Sequence, residues 1–238
     1  MSVAAELYDR ALATGARSVV VIGTAKNVGK TTTVQALLRE AERRRARVGI
    51  TSLGRDGEAF DAVDGRPKPR LSVEPGTLVA AGYALLPPRR AIEILGQGEE
   101  SALGPIVIYR TKMPLFVEIS GPPTARGVRA TIERLHAFGA FPAIVDGAVD
   151  RVAAAIGGED AVILATGAAL ADSEEAVVRQ TASVVESLRE RAPNIRLVAC
   201  TCAPVDGDVA FDALGFTRAI ARATGLPAFD VHAGIGVR

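Results

Sequence analysis

Apolar and polar positions alternate along this chain in two different periods. Ser18 to Ile22 (Ser-Val-Val-Val-Ile) is β-branched and continuous, which predicts a strand buried on both faces. Thr31 to Arg45 changes to a helical period, with Val34, Leu37, Leu38 and Ala41 on one face. Further strands are predicted at Arg47–Leu53, Leu115–Ile119, Pro142–Val145, Ala161–Ala165, Ile195–Ala199 and Ala228–Val231. Helices are predicted at Thr124–Phe138, Ser173–Arg191 and Val209–Thr224. Strands alternating with helices at this pitch imply a mostly parallel sheet with helices on both faces, an α/β fold in three layers. The alternation fails between Gly54 and Pro114. That stretch holds six prolines yet keeps the apolar runs Thr77–Leu86 and Pro105–Tyr109. The expected organisation is therefore one domain over 1–238, with a folded, β-containing insertion at about 55–114 after the second strand. Such an insertion could form a lid, a partner surface or a purely structural excursion.

In open parallel sheets, chemistry gathers at the carboxyl ends of the strands. The groups placed there are the glycine loop after Ile22, Arg55-Asp56, Glu118-Ser120-Gly121, Asp146 and Thr166-Gly167. The loop reads Gly23-Thr24-Ala25-Lys26-Asn27-Val28-Gly29-Lys30-Thr31-Thr32, a glycine, four residues, then Gly-Lys-Thr. Glycines let the backbone curl so that several N–H groups face one centre, and the following helix adds its positive end. Lys30 is expected to reach the β and γ phosphates, and the Thr31 hydroxyl to hold Mg²⁺. Only four lysines occur against 24 arginines, and two of the four, Lys26 and Lys30, lie in this loop. A compact ammonium among phosphates is not readily replaced by a planar guanidinium.

Glu118 falls inside an apolar strand pattern, where a carboxylate needs a cation or donors; Mg²⁺ and an arginine are the two candidates. Asp56, before Gly57, could hold Mg²⁺, orient the attacking water, or simply form a turn. The expected catalytic set is Lys30, Asp56 and Glu118, and the expected metal set Thr31, Glu118 and Asp56. Asp146 with Arg151 is either a phosphate-sensing pair or a structural one. His136 and His232 stand alone.

Composition narrows the classes. Hydrophobic residues are 48% and charged residues 23% of 238, which suits a globular chain. A formal net charge of +1 gives no electrostatic case for nucleic acid or a membrane surface. The basic run Arg43–Arg47 reads as a solvated helix end. Two cysteines, Cys200 and Cys202, make no metal site and suit a reducing cytoplasm. The N-terminal stretch has no signal-peptide pattern, and no apolar run is long enough for a membrane span.

The loop resembles that of the dethiobiotin synthetase and cobyric acid synthase group of P-loop proteins, which read Gly-Thr, three variable residues, then Val or Ala and Gly-Lys-Thr/Ser. Val117-Glu118-Ile119-Ser120-Gly121 resembles, in relaxed form, that group's Val-Glu-Gly segment, whose glutamate binds Mg²⁺. The substrate lysine of dethiobiotin synthetases has no counterpart in Ser52-Leu53-Gly54-Arg55-Asp56, and the signature lysine of the ParA/MinD loop would fall at Ala25. A closer resemblance is to the ATP-binding subunit of the reactivation complex of lysine 5,6-aminomutase. It is carried by Gly23–Thr31, Thr51–Glu58 (Thr-Ser-Leu-Gly-Arg-Asp-Gly-Glu), Lys68-Pro69-Arg70, Pro75–Ala80 and Val145–Arg151. That resemblance implies a chaperone-like ATPase using ATP and Mg²⁺. It also implies a second reactivase subunit and a cobalamin-dependent aminomutase as partners, with a homodimer left open. Two alternatives stand beside it: an ATP-dependent ligase or kinase of cofactor biosynthesis, and a nucleotide sensor without turnover. No Asn-Lys-x-Asp guanine signature stands near a strand end.

Overall fold

The computed structural model describes residues 2–53, 70–148 and 160–238. In chain order the helices are α1 (Val3–Ala13), α2 (Lys30–Arg43), α3 (Ala125–Ala137), α4 (Glu174–Arg191) and α5 (Ala213–Thr224). The strands are β1 (Ser18–Gly23), β2 (Gly49–Ser52), β3 (Leu71–Val73), β4 (Leu78–Gly82), β5 (Ile92–Ser101), β6 (Gly104–Thr111), β7 (Leu115–Val117), β8 (Ala143–Ala148), β9 (Asp160–Gly167), β10 (Arg196–Ala203), β11 (Val205–Asp206), β12 (Val209–Ala210), β13 (Ala228–Asp230) and β14 (Ile235–Val237). The architecture is α/β, with mostly parallel strands flanked by helices, as the alternating pattern implies. By contacts the chain forms two compact units, Met1–Glu40 with Gly147–Arg238, and Ala41–Asp146.

In the first unit the strand order is β14-β13-β10-β9-β1. The pairs β1–β9, β9–β10 and β10–β13 are parallel, and β13–β14 closes the edge antiparallel. Every residue of β1 and β9 is buried. This is why both read as unbroken apolar runs rather than as alternating ones. Helix α1 is capped by Ser2, whose hydroxyl accepts from Ala5 N–H at 3.2 Å, and it buries Ala5, Leu7, Tyr8 and Ala11. Asp212 caps α5 in the same way, and Gly225 ends that helix in the left-handed conformation (φ 67°). Val209 and Ala210, expected in that helix, instead form a two-strand hairpin with Val205 and Asp206. Asp212 is the stronger cap, so the helix starts there.

In the second unit the order is β8-β2-β4-β6-β5. Strands β8–β2 and β2–β4 pair parallel, and β4–β6 and β6–β5 antiparallel. The proline-rich stretch after β2 therefore contains strands that extend from β2 itself. Strand β5 runs along the edge with register shifts and exposed Glu93, Glu99 and Glu100, devices that keep an edge from pairing further.

One strand departs from expectation. Leu115–Ile119 does not make a buried parallel strand. Strand β7 covers only Leu115–Val117 and pairs antiparallel with β3, with Phe116 72% exposed. Its partner β3 is three residues long, and Glu118 lies just beyond the pairing. A strand so short and one-sided has no reason to bury a carboxylate.

Candidate functional site: a phosphate loop and its neighbouring pocket

The loop 23–32 joins the buried strand β1 to the first turn of α2. It is anchored at both ends. Thr24 N–H donates to Ala165 O at 2.9 Å, and the Thr24 hydroxyl donates to that of Thr166 at 3.3 Å. The Thr166 and Thr181 hydroxyls are 2.7 Å apart, and Thr181 donates to Val177 O at 2.7 Å. Because Thr181 spends its proton on that carbonyl, Thr166 donates to Thr181, and a directed line of hydroxyls ties the loop to β9 and α4. At the other end Thr33 donates to Gly29 O at 3.0 Å, and its oxygen lies 2.8 Å from the Thr201 hydroxyl of β10. By the same reasoning Thr201 is the donor of that pair.

Between the anchors the backbone turns at two left-handed residues, Asn27 (φ 58°) and Gly29 (φ 86°). Alternation of this kind curls successive N–H groups toward one concavity, the geometry that receives an anion. Asparagine tolerates the conformation better than most residues. Val28, between them, is buried and fixes the curl from beneath. Lys30 lies back across the loop: its ammonium donates to Ala25 O at 3.1 Å, and its side chain passes over Gly23. A Cβ on Gly23 would stand 2.7 Å from Lys30 Cδ and 2.8 Å from Nζ. The first turn of α2 has no acidic residue to oppose an anion at its positive end. Thr31, half-buried in that turn, offers a hard hydroxyl oxygen of the kind Mg²⁺ takes beside phosphates.

Beside the loop a pocket of about 330 Å³ opens. Asn27, Val28, Gly29, Thr32 and Thr33 form one wall. The ends of β10 and β13 form the other, from Thr201 to Val205 and from Asp230 to His232. The volume lies within the range of small-molecule sites, about 300–1,000 Å³. The pattern along the chain did not mark Asp230 or the strand ends beside it. The signal available was an acid closing the short run Ala228-Phe229-Asp230. His232 lines this wall.

Glu118 has a different setting from the expected one. Its carboxylate accepts from Arg70 Nε at 2.9 Å, with the glutamate side chain 22% exposed. Arginine is one of the two partners that the sequence offered for this carboxylate. Asp146, within strand β8, pairs with Ser52, and its carbonyl accepts from Leu53 N–H at 2.8 Å. Arg55, Asp56, Lys68 and Arg151 lie outside the described residues. Both cysteines are buried free thiols on one side of β10. Burial pushes Cys200 up to about 12, and burial with the nearby Cys200 raises Cys202 as well. Among the described residues no helix is long and apolar enough to cross a membrane.

No family model and no curated protein matches the chain. Its backbone is similar to several solved structures. The 54 kDa signal recognition particle protein of Aeropyrum pernix K1, in complex with GDP, is 17% identical with a TM-score of 0.49. The match covers 95% of this chain and 46% of that one, so the chain spans about half its length. The MinD cell division protein of Aquifex aeolicus is 13% identical over 90% of this chain and 82% of its own, with a TM-score of 0.45. Cobyrinic acid a,c-diamide synthase from Mycobacterium smegmatis, with bound ADP and magnesium, is 14% identical over 89% and 84%, with a TM-score of 0.43. At such identities the likeness concerns the course of the backbone. The chemistry has to come from the residues themselves.

Proposed function

We propose that the chain is a Mg²⁺-dependent P-loop ATPase that binds its nucleotide along the loop from Gly23 to Thr32. The observation that carries this reading is the placement of Lys30 across Gly23, above a loop turned by Asn27 and Gly29. Phosphates lying in that curl would meet the Lys30 ammonium, the loop N–H groups and the positive end of α2. The pocket beside the loop then receives the nucleoside. Thr31 is the metal-holding hydroxyl on the loop side; when bound, Mg²⁺ neutralises charge on the phosphates. Asp56 and Glu118 are proposed as acidic contributors to metal binding and water orientation. For Glu118 this requires exchange of its Arg70 partner.

The finer role rests on the resemblance in Gly23–Thr31, Thr51–Glu58 and Val145–Arg151. It is the ATP-hydrolysing subunit of a chaperone-like complex that reactivates a cobalamin-dependent aminomutase. Nucleotide-dependent ordering of segments that touch the γ-phosphate would supply the mechanical step.

The test is ATP turnover by the full chain with Mg²⁺, alone and with a candidate partner subunit and client mutase. Turnover that rises with the partner is expected, and Lys30→Ala should remove binding or hydrolysis. Normal hydrolysis by that variant sinks the central claim. Turnover that depends on a small carboxylic acid instead points to a ligase.

A further inference from the structure

We propose that Asp230 reads an exocyclic amino group on the base of the bound nucleotide. The inference rests on the nucleotide-binding reading above and adds what selects the nucleotide. Asp230 is the last residue of β13 and is only 2% exposed. It stands in the pocket wall that faces the phosphate loop. One carboxylate oxygen, Oδ1, accepts from the backbone N–H groups of His232 and Ala233, both at 2.9 Å. Those two bonds shape the turn between β13 and β14. They leave Oδ2 outside the turn's hydrogen bonding.

The turn alone does not account for the residue. An asparagine would accept the same two N–H groups through its amide oxygen and form the same turn. It would do so without desolvating a negative charge, which costs several kcal/mol when uncompensated. The charge is therefore useful only to something that donates a hydrogen bond from the pocket side. Among the described residues the carboxylate receives no side-chain hydrogen bond, although Asn27, Thr32 and His232 line the same pocket. The Thr201 hydroxyl is committed to Thr33, and Thr33 to Gly29 O. Cys202 is a buried neutral thiol. Ala203, Pro204, Val205 and Val231 line the pocket with apolar side chains.

A largely apolar slot beside a phosphate cradle, with the buried Asp230 among its lining residues, suits a flat heterocycle carrying an exocyclic amino donor. Adenine offers its 6-amino group and guanine its 2-amino group. Inosine has neither. A site built to accept from an amino group rejects the analogue that lacks it, because the buried acceptor is then left unpaired.

The experiment is calorimetric binding of Mg²⁺ complexes of ATP, GTP, ITP and inorganic tripolyphosphate to the full chain. ATP or GTP should bind at least roughly tenfold tighter than ITP. Which of the two does so identifies the amino group read. Asp230→Asn keeps the turn acceptor but can present a donor at the other position. It should bring the preferred nucleotide and ITP to parity or reverse them, with tripolyphosphate binding unchanged. The inference is overturned if ITP binds as tightly as both ATP and GTP, or if the asparagine variant keeps the wild-type ratio. In either case tripolyphosphate binding that depends on Lys30 would leave the phosphate-loop reading standing. Failure of every nucleotide to bind overturns both. Should Asp230→Asn not fold, the wild-type ratio alone decides.

Discussion

Gly23 and Lys30 act as a pair. The absence of a Cβ at Gly23 is what lets the Lys30 stem lie across the loop, since that carbon would come within 2.7 Å of Lys30 Cδ. The obstruction involves a flexible side chain and no backbone atom. Gly23→Ala should therefore fold almost normally, with a stability change within about 1 kcal/mol, while the lysine is pushed from its place. Displacing a positioning group by about an ångström can cost up to roughly a hundredfold in rate. The expected outcome is a large fall in ATP turnover with an unchanged urea midpoint. A variant that unfolds early, or one that turns over ATP like the wild type, contradicts this account of the loop.

Whole segments are held by similarly close approaches. Gly121 lies against the end of β2, its N–H donating to the Ser52 hydroxyl at 2.8 Å. A Cβ there would sit 1.6 Å from the Ser52 carbonyl oxygen, a backbone atom that cannot swing aside. Gly121→Ala should cost at least about 3 kcal/mol, read as a lowered midpoint in urea unfolding. The sequence marked Ser120-Gly121 as a strand end but gave it a chemical reading, and the structure gives it a packing one. The helices starting after Thr124 and Ser173 were legible because each cap accepts from an N–H three residues on, a purely local event. The turn of the loop 23–32 at Asn27 and Gly29 is local in the same sense. Strand β7 and the partner of Glu118 were not legible, because they depend on Leu71–Val73 and Arg70, more than forty residues earlier. Asp230 was not marked because its place in the pocket wall depends on a loop some two hundred residues away.

For the molecule as a whole, the class of fold followed from period alone. Fully buried parallel strands read as unbroken apolar runs, and β1 and β9 are of that kind. The same burial has a consequence for stability at alkaline pH. Cys200 and Cys202 lie on β10 among fully buried neighbours. Burial lifts Cys200 from an ordinary 9.0 to about 12 and raises Cys202 in the same direction. A thiol whose folded pKa is raised binds its proton more tightly in the folded state. Its contribution is thus fully present below about 9 and is lost as pH rises toward about 12, because the unfolded chain ionises first. Each thiol should remove up to about 1.4 kcal/mol of stability per pH unit in that window. Urea unfolding at pH 8, 9 and 10 measures it, with the Cys200→Ala/Cys202→Ala chain as reference. The stability difference between wild type and variant should hold steady from pH 8 to near 9 and then move steadily toward the variant's favour. If both chains lose stability in parallel above pH 9, the loss belongs to other groups and the thiols are not the buried protons assigned to them.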